Sequence, residues 1–307
     1  MSRIPMLSTK TGAARLLIGA VIGLVLLKIA VGWLTGSVSV LAQAADSALD
    51  LFGAAVTYSA VRVASRPADG EHPYGHGKVE DIAGVVQGIL IFAGGVLIVY
   101  ASIHRIVVGA TVELAEAGIG AMLVSIVASI LLSRHLLEVS RATGSVALEA
   151  NARNIAADVY SALAVLVGLA IVRFTGLGIV DSVIAIGVAG YVLVVAHRTV
   201  RSSLSGLIDT RLPPSQERLV EDALAKHRQQ VVSYHALRTR RAGSQHHIDL
   251  HLVMPKDMGL QEAHEVCDRI EAEIQAGLPQ SSVTIHVEPC SDECDRCSVA
   301  CSMRQPS

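Results

Sequence analysis

Charge is scarce and unevenly placed along the first two hundred residues. Thr35 to Val61 carries only Asp46 and Asp50, Ile82 to Ile103 carries no charge, and neither does Ala117 to Ser133. A helix that crosses a bilayer needs about 20 predominantly apolar residues. Three further stretches meet that need with interruptions. Ala13 to Leu34 has Arg15 at its edge and Lys28 inside, Ala147 to Val172 has Glu149, Arg153 and Asp158, and Phe174 to Ala196 has Asp181. The pattern predicts six transmembrane helices within residues 1–208. The first stretch is too long for a cleaved signal peptide, and a second span follows it at once.

After about residue 208 the period changes. Pro213-Pro214-Ser215 is a helix start, with Ser215 as the expected cap, and Leu219, Val220, Ala223, Leu224 and His227 then recur at helical spacing. Val231 to Arg241 and His247 to Met254 read as strands joined by a turn at Ala242 to Gln245. Leu260 to Leu278 is helical, with Ala263, Cys267, Ile270 and Ile274 on one face. Val283, Ile285 and Val287 then alternate with polar residues as a third strand. The reading is an α-helical membrane protein with a small cytoplasmic α+β domain of order αββαβ over residues 209–290, and a Cys-rich tail over 291–307.

Composition sharpens this picture. Of 307 residues 51% are hydrophobic and 17% charged, against about 25% charged in a soluble chain. A net charge of −2 lacks the basic bias of a nucleic-acid binder, so no nucleic-acid partner is expected. Arg3, Lys10, Arg15, Arg62, Arg66, Lys78, Arg134, Arg141, Arg198, Arg201 and Arg211 fall on one side of the predicted spans. Arg105 and Arg173 fall on the other. The positive-inside bias then puts both termini in the cytoplasm and the chain, multi-pass, in the cytoplasmic (inner) membrane.

The candidate chemistry lies inside the spans. Asp46 and Asp50 are four apart on one helix and share a face, with Asp46 about 17 Å from the outer end of its span. Asn154 and Asp158 repeat that spacing on the fifth span. An ionised Asp at mid-bilayer costs about 2.5–3.5 kcal/mol, and two such pairs supply four oxygen ligands to one divalent cation. Arg153 is the one nearby cation considered; it sits about 100° round the helix from Asn154 and points elsewhere. His72 and His76 in the loop after the second span have metal-ligand spacing, and Asp69 adds a carboxylate.

With these residues in view, the chain resembles the cation diffusion facilitator family over nearly its whole length. The most specific stretch is Glu71-His72-Pro73-Tyr74-Gly75-His76-Gly77-Lys78-Val79-Glu80. Its bacterial zinc- and iron-transporting branch is the most similar. The resemblance implies a homodimeric exporter that exchanges a divalent cation for protons, with membrane lipid as its surroundings. It implies a transport site at Asp46, Asp50, Asn154 and Asp158, a second metal site at Asp69, His72 and His76, and a charge interlock between Lys78 and Asp209. It further implies a metal site in the cytoplasmic domain at His235, His251, His264, His286 and Glu288. Asn154 departs from that branch, whose members carry His there. An amide oxygen is harder than imidazole, which favours Mn²⁺ or Fe²⁺ over strict selectivity for Zn²⁺; Co²⁺ and Cd²⁺ stay open. His246 and His247 near the hairpin tip are expected to be exposed, and Cys267 to sit in the core.

The resemblance stops before the tail. Cys290, Cys294, Cys297 and Cys301 are spaced four, three and four apart. In a reducing cytoplasm they are either thiolates holding Zn²⁺, Cu⁺ or an iron–sulfur cluster, or free thiols. Two other functions compete with transport. An intramembrane aspartyl hydrolase is disfavoured because no GxGD-like sequence flanks the aspartates, and no enzymatic activity is expected. A membrane-anchored divalent-metal sensor or assembly dimer stays open. The sequence has no nucleotide-binding Gly-rich loop, so pumping driven by ATP is not expected.

Overall fold

The computed structural model describes residues 8–35, 38–108, 116–175 and 179–290. Side chains are described for these residues other than 31–32, 35, 38–46, 48–49, 105, 108, 116–122, 161, 164–175 and 179–182. The chain divides into two compact units, Met1–Leu207 and Ile208–Ser307.

The first unit contains six long helices: α1 (Lys10–Thr35), α2 (Val38–Ala64), α3 (Lys78–Val108), α4 (Glu116–Thr143), α5 (Val146–Thr175) and α6 (Ile179–Leu207). Among the described residues, α1, α3, α4 and α6 hold apolar windows long enough to cross a membrane. Leu26, Phe92, Leu97 and Leu131 stand more than half exposed on these helices, as side chains facing lipid do. Backbone polar groups in hydrocarbon must be satisfied within the segment, which is why the spans are helical. One core gathers Ala13, Leu17, Val61, Leu136 and Leu148 from α1, α2, α4 and α5; a smaller one joins Ile91, Ala157, Val192 and Ala196 from α3, α5 and α6. Helices α3 and α6 meet almost backbone to backbone. A Cβ added at Gly84 would collide with Ser203, at Gly88 with Val200, and at Gly206 with the buried Asp81.

The second unit runs α7 (Pro214–Lys226), β1 (Ser233–Ala242), β2 (Gln245–Met254), α8 (Leu260–Gly277) and β3 (Ser281–Pro289), so the expected αββαβ order is present. The sheet order is β1-β2-β3, with β1 antiparallel and β3 parallel to β2. Alternate residues Ile248, Leu250, Leu252 and Met254 of β2 are buried with Val220, Leu224, Val266, Ile270 and Ile274 of the two helices. The remaining alternate residues form the other face of the sheet.

Three local expectations change. Pro213, not Ser215, caps α7, and no side chain bonds the first turn; a proline at the first helical position starts the helix by fixing φ. Leu219 lies on the outer face, 42% exposed, and Glu217 is buried instead. His246 and His247 are not exposed. Strand β3 begins beside them, pairing Ser281 with His246 and Ser282 with His247, and His247 is only 9% exposed.

Candidate metal-transport site

Helix α2 carries Asp50, Gly53 and Thr57 along one stripe, and α5 carries Asn151, Asn154 and Asp158 along another, both at spacings of three and four residues. The structure brings Asp50, Asn154 and Asp158 together. The Asn154 amide nitrogen stands 3.4 Å from Asp50 Oδ1 and 3.5 Å from Asp158 Oδ2. One amide therefore bridges two carboxylates on different helices. Asp46 lies on α2 one turn before Asp50, and its side chain falls outside the described residues. Arg153 pairs with Glu149 on its own helix and is turned away, as its angular position predicts.

A layer of neutral polar groups adjoins this set. Gln87 of α3 donates from Nε2 to the Gly53 carbonyl at 2.6 Å and to Thr57 Oγ1 at 3.2 Å, and Asn151 Nδ2 donates to the same hydroxyl oxygen at 3.2 Å. All three side chains are buried. Gly53 leaves the space: a Cβ there would stand 2.9 Å from the Gln87 amide. Sequence reasoning missed this layer, because neutral amides inside a span leave no charge signal. It also treated Lys28 only as an interruption of the first span. The Lys28 ammonium donates to Ser47 Oγ on α2 at 2.6 Å.

In the loop between α2 and α3, Asp69, His72 and His76 lie together. Pro67, Gly70, Pro73, Gly75 and Gly77 keep the segment out of helix, and Gly75 takes a positive φ of 79°. Asp69 and His72 clasp each other: the Asp69 N–H donates to the His72 carbonyl at 3.2 Å, and the Asp69 carboxylate accepts the His72 N–H at 2.7 Å. That backbone hydrogen bond is the main reason the Asp69 carboxyl sits below its ordinary range. His72 Nδ1 and His76 Nε2 approach the same carboxylate at 3.3 and 3.5 Å. One ligand atom from each residue fits within 4.8 Å of the others. His76 is 10% exposed, and its Nδ1 is buried without a partner. Two imidazoles and a carboxylate fit a borderline divalent ion.

In the cytoplasmic unit a register shift between His235 and Arg238, with Ala236 at φ 52°, turns both side chains onto the face opposite the helices. His235 then sits across from His251, and His251 across from His286. Glu288 faces all three, at 2.8 Å from His251 Nδ1, 3.4 Å from His235 Nε2 and 3.8 Å from His286 Nε2. His235, His251 and Glu288 form the tight set, with ligand atoms within 4.8 Å. The structure does not bring His264 to it. That residue lies on α8, which covers the core side of the sheet, and its side chain is 76% exposed beside Asp268.

The two residues of the expected interlock fall in different units, and each has a partner in its own. Lys78 donates to the Leu207 carbonyl at 3.3 Å, and Asp209 pairs with Arg240 at 3.3 Å. Cys290 is buried and its N–H donates to the Met254 carbonyl at 2.8 Å. Cys294, Cys297 and Cys301 lie outside the described residues. Cys267 is in the core as expected, and burial raises its thiol pKa.

Comparison with known proteins gives this geometry a context. The family profile described as "Cation efflux transmembrane domain" matches residues 14–208, and that described as "Cation efflux protein, cytoplasmic domain" matches residues 212–290. The chain belongs to the cation efflux family. This cation diffusion facilitator is 32% identical over 279 residues to the uncharacterized transporter sll1263 of Synechocystis sp., covering 91% of this chain and 90% of that one. It is 32% identical over 268 residues to the cation-efflux pump FieF of Pectobacterium carotovorum, covering 87% and 89%. Among solved structures, the metal-bound C-terminal domain of the CzcD transporter from Thermotoga maritima is 27% identical. It covers 25% of this chain and 94% of that one, with a TM-score of 0.23. The family membership makes the protein a membrane transporter, not an enzyme.

Proposed function

We propose that this efflux-family protein exports a divalent metal cation across the cytoplasmic membrane in exchange for protons. It works as a homodimer with six spans and both termini in the cytoplasm. The observation that carries this reading is the convergence of Asp50, Asn154 and Asp158 from α2 and α5 inside the membrane unit. With Asp46 they offer four oxygen ligands to the cargo. Carboxylates held away from water take up protons when the metal leaves, which couples the two movements. The oxygen donor set suits Fe²⁺ or Mn²⁺ as well as Zn²⁺.

The remaining clusters divide the other tasks. Asp69, His72 and His76 hold a second metal at the membrane surface. His235, His251, His286 and Glu288 hold a regulatory metal that brings two cytoplasmic domains together and biases the spans between inward- and outward-facing states. The tail thiolates, Cys290 included, bind soft metal separately.

Purified protein in proteoliposomes tests the core of this reading. Zn²⁺, Fe²⁺ or Mn²⁺ is expected to accumulate against an imposed proton gradient in wild type and not in the Asp50→Ala/Asp158→Ala variant. Wild-type flux in that variant overturns the site. Metal-dependent dimerisation without any flux favours the sensor instead.

A further inference from the structure

Lys28 sits seven residues before the end of α1 at Thr35, which places its Cα about 10 Å inside that end. A lysine so placed usually extends its chain toward the headgroups. This one reaches sideways, half-buried, to Ser47 Oγ at 2.6 Å, and Ser47 is 4% exposed. A serine hydroxyl accepts the hydrogen bond but brings no charge of its own. An ammonium at this depth is costly unless an anion stands near. Ser47 follows Asp46 directly and precedes Asp50 by three residues, one turn along the same helix face. Among the described residues, the carboxylates midway along the membrane helices are Asp50 and Asp158. The other nearby cation, Arg153, is already paired with Glu149.

We propose that Lys28 is the resident counter-cation of the transport aspartates. Its ammonium balances part of their charge when no metal is bound, and an arriving divalent ion repels it. Metal entry and lysine withdrawal are then one exchange. The same positive charge caps the affinity of the site, so that the cargo can leave on the far side. This inference rests on the transport role of Asp46, Asp50, Asn154 and Asp158.

The test uses the full chain in proteoliposomes, with Zn²⁺ and Mn²⁺ as probes, in a mildly alkaline buffer where proton competition is weakest. Removing a like charge that competes with a divalent ion for the same carboxylates, even at an effective dielectric of about 20, shifts affinity by more than roughly tenfold. Lys28→Gln is therefore expected to lower the half-saturating metal concentration about tenfold or more and to reduce the maximal rate. Lys28→Arg keeps the charge and is expected to stay within about twofold of the wild-type half-saturation. An unchanged half-saturation in Lys28→Gln overturns the proposal, as does Lys28→Arg behaving like Lys28→Gln. Asp50→Asn run in parallel separates the two readings, because wild-type transport there refutes the transport site itself. If Lys28→Gln yields little folded protein, Lys28→Gln/Asp50→Asn is expected to restore the yield, since one negative charge then goes with the positive one. A double variant that folds no better than the single one also overturns the proposal.

Discussion

Asn154 is the residue on which the transport geometry turns, because its amide spans Asp50 and Asp158. Asn154→His is expected to move selectivity toward Zn²⁺, since imidazole is softer than an amide oxygen. It also adds a group that titrates between about pH 5 and 8. Flux of Zn²⁺ against Mn²⁺ across that range measures both effects; an unchanged ratio and profile would mean residue 154 does not touch the ion. In the cytoplasmic unit His247 is held below its ordinary pKa, first by burial and then by Arg240; His246 is lowered by burial and Arg241. Both therefore take up a proton less readily in the folded unit than in the unfolded chain. Stability is full above the ordinary value of 6.5 and falls as the pH drops through it toward the lowered folded values. Thermal unfolding of the second unit across this window should show the loss, and His246→Gln/His247→Gln should flatten it. Thr239 is a third such point. Its hydroxyl donates to Glu217 at 2.7 Å and accepts the Leu212 N–H at 3.1 Å. Thr239→Val strands the Leu212 N–H and leaves Glu217 to Arg211 alone, and should cost about 1–3 kcal/mol by urea unfolding.

At the scale of elements, much was legible because charge in an apolar run stands out. The four-residue spacing puts Asp46 and Asp50 on one face of α2, and Asn154 and Asp158 on one face of α5. The grouping of His235, His251, His286 and Glu288 came from the resemblance and not from alternation. What was not legible depends on packing. Gln87, Thr57 and Asn151 carry no charge, and only the close approach of α2, α3 and α5 makes them one layer. His246 and His247 sit where a hairpin tip is normally exposed, and only the parallel register of β3 covers them. The bulge at Ala236, which turns His235 onto the cluster face, has no glycine to announce it. His264 was grouped with the other histidines by resemblance, while the side of the sheet that α8 occupies separates it from them. The glycines of the α3–α6 contact carry their own expectation. Gly88→Val should overpack the seam and cost about 1–3 kcal/mol, read as a lower unfolding temperature in detergent.

For the molecule as a whole, two units with separate cores carry separate chemistry. The double variant His251→Ala/His286→Ala is expected to weaken metal-dependent dimerisation of the cytoplasmic unit by calorimetry or scattering. Transport should fall less than in the aspartate variants. Full metal stoichiometry in that variant would sink the regulatory role. Truncation after Pro289 should remove a class of soft metal from protein purified without oxygen and leave flux largely intact. Equal metal content in the two proteins would leave the tail as unliganded thiols. The seam between α3 and α6 has a different kind of consequence. Where Gly84, Gly88 and Gly206 lie, one partner brings no side chain, and Ser203, Val200 and Asp81 of the other fill the space. A seam that close is expected to keep the two helices together through a transport cycle. Rearrangement is then expected at joints made of single hydrogen bonds, where one amide can let go of one carboxylate and keep the other.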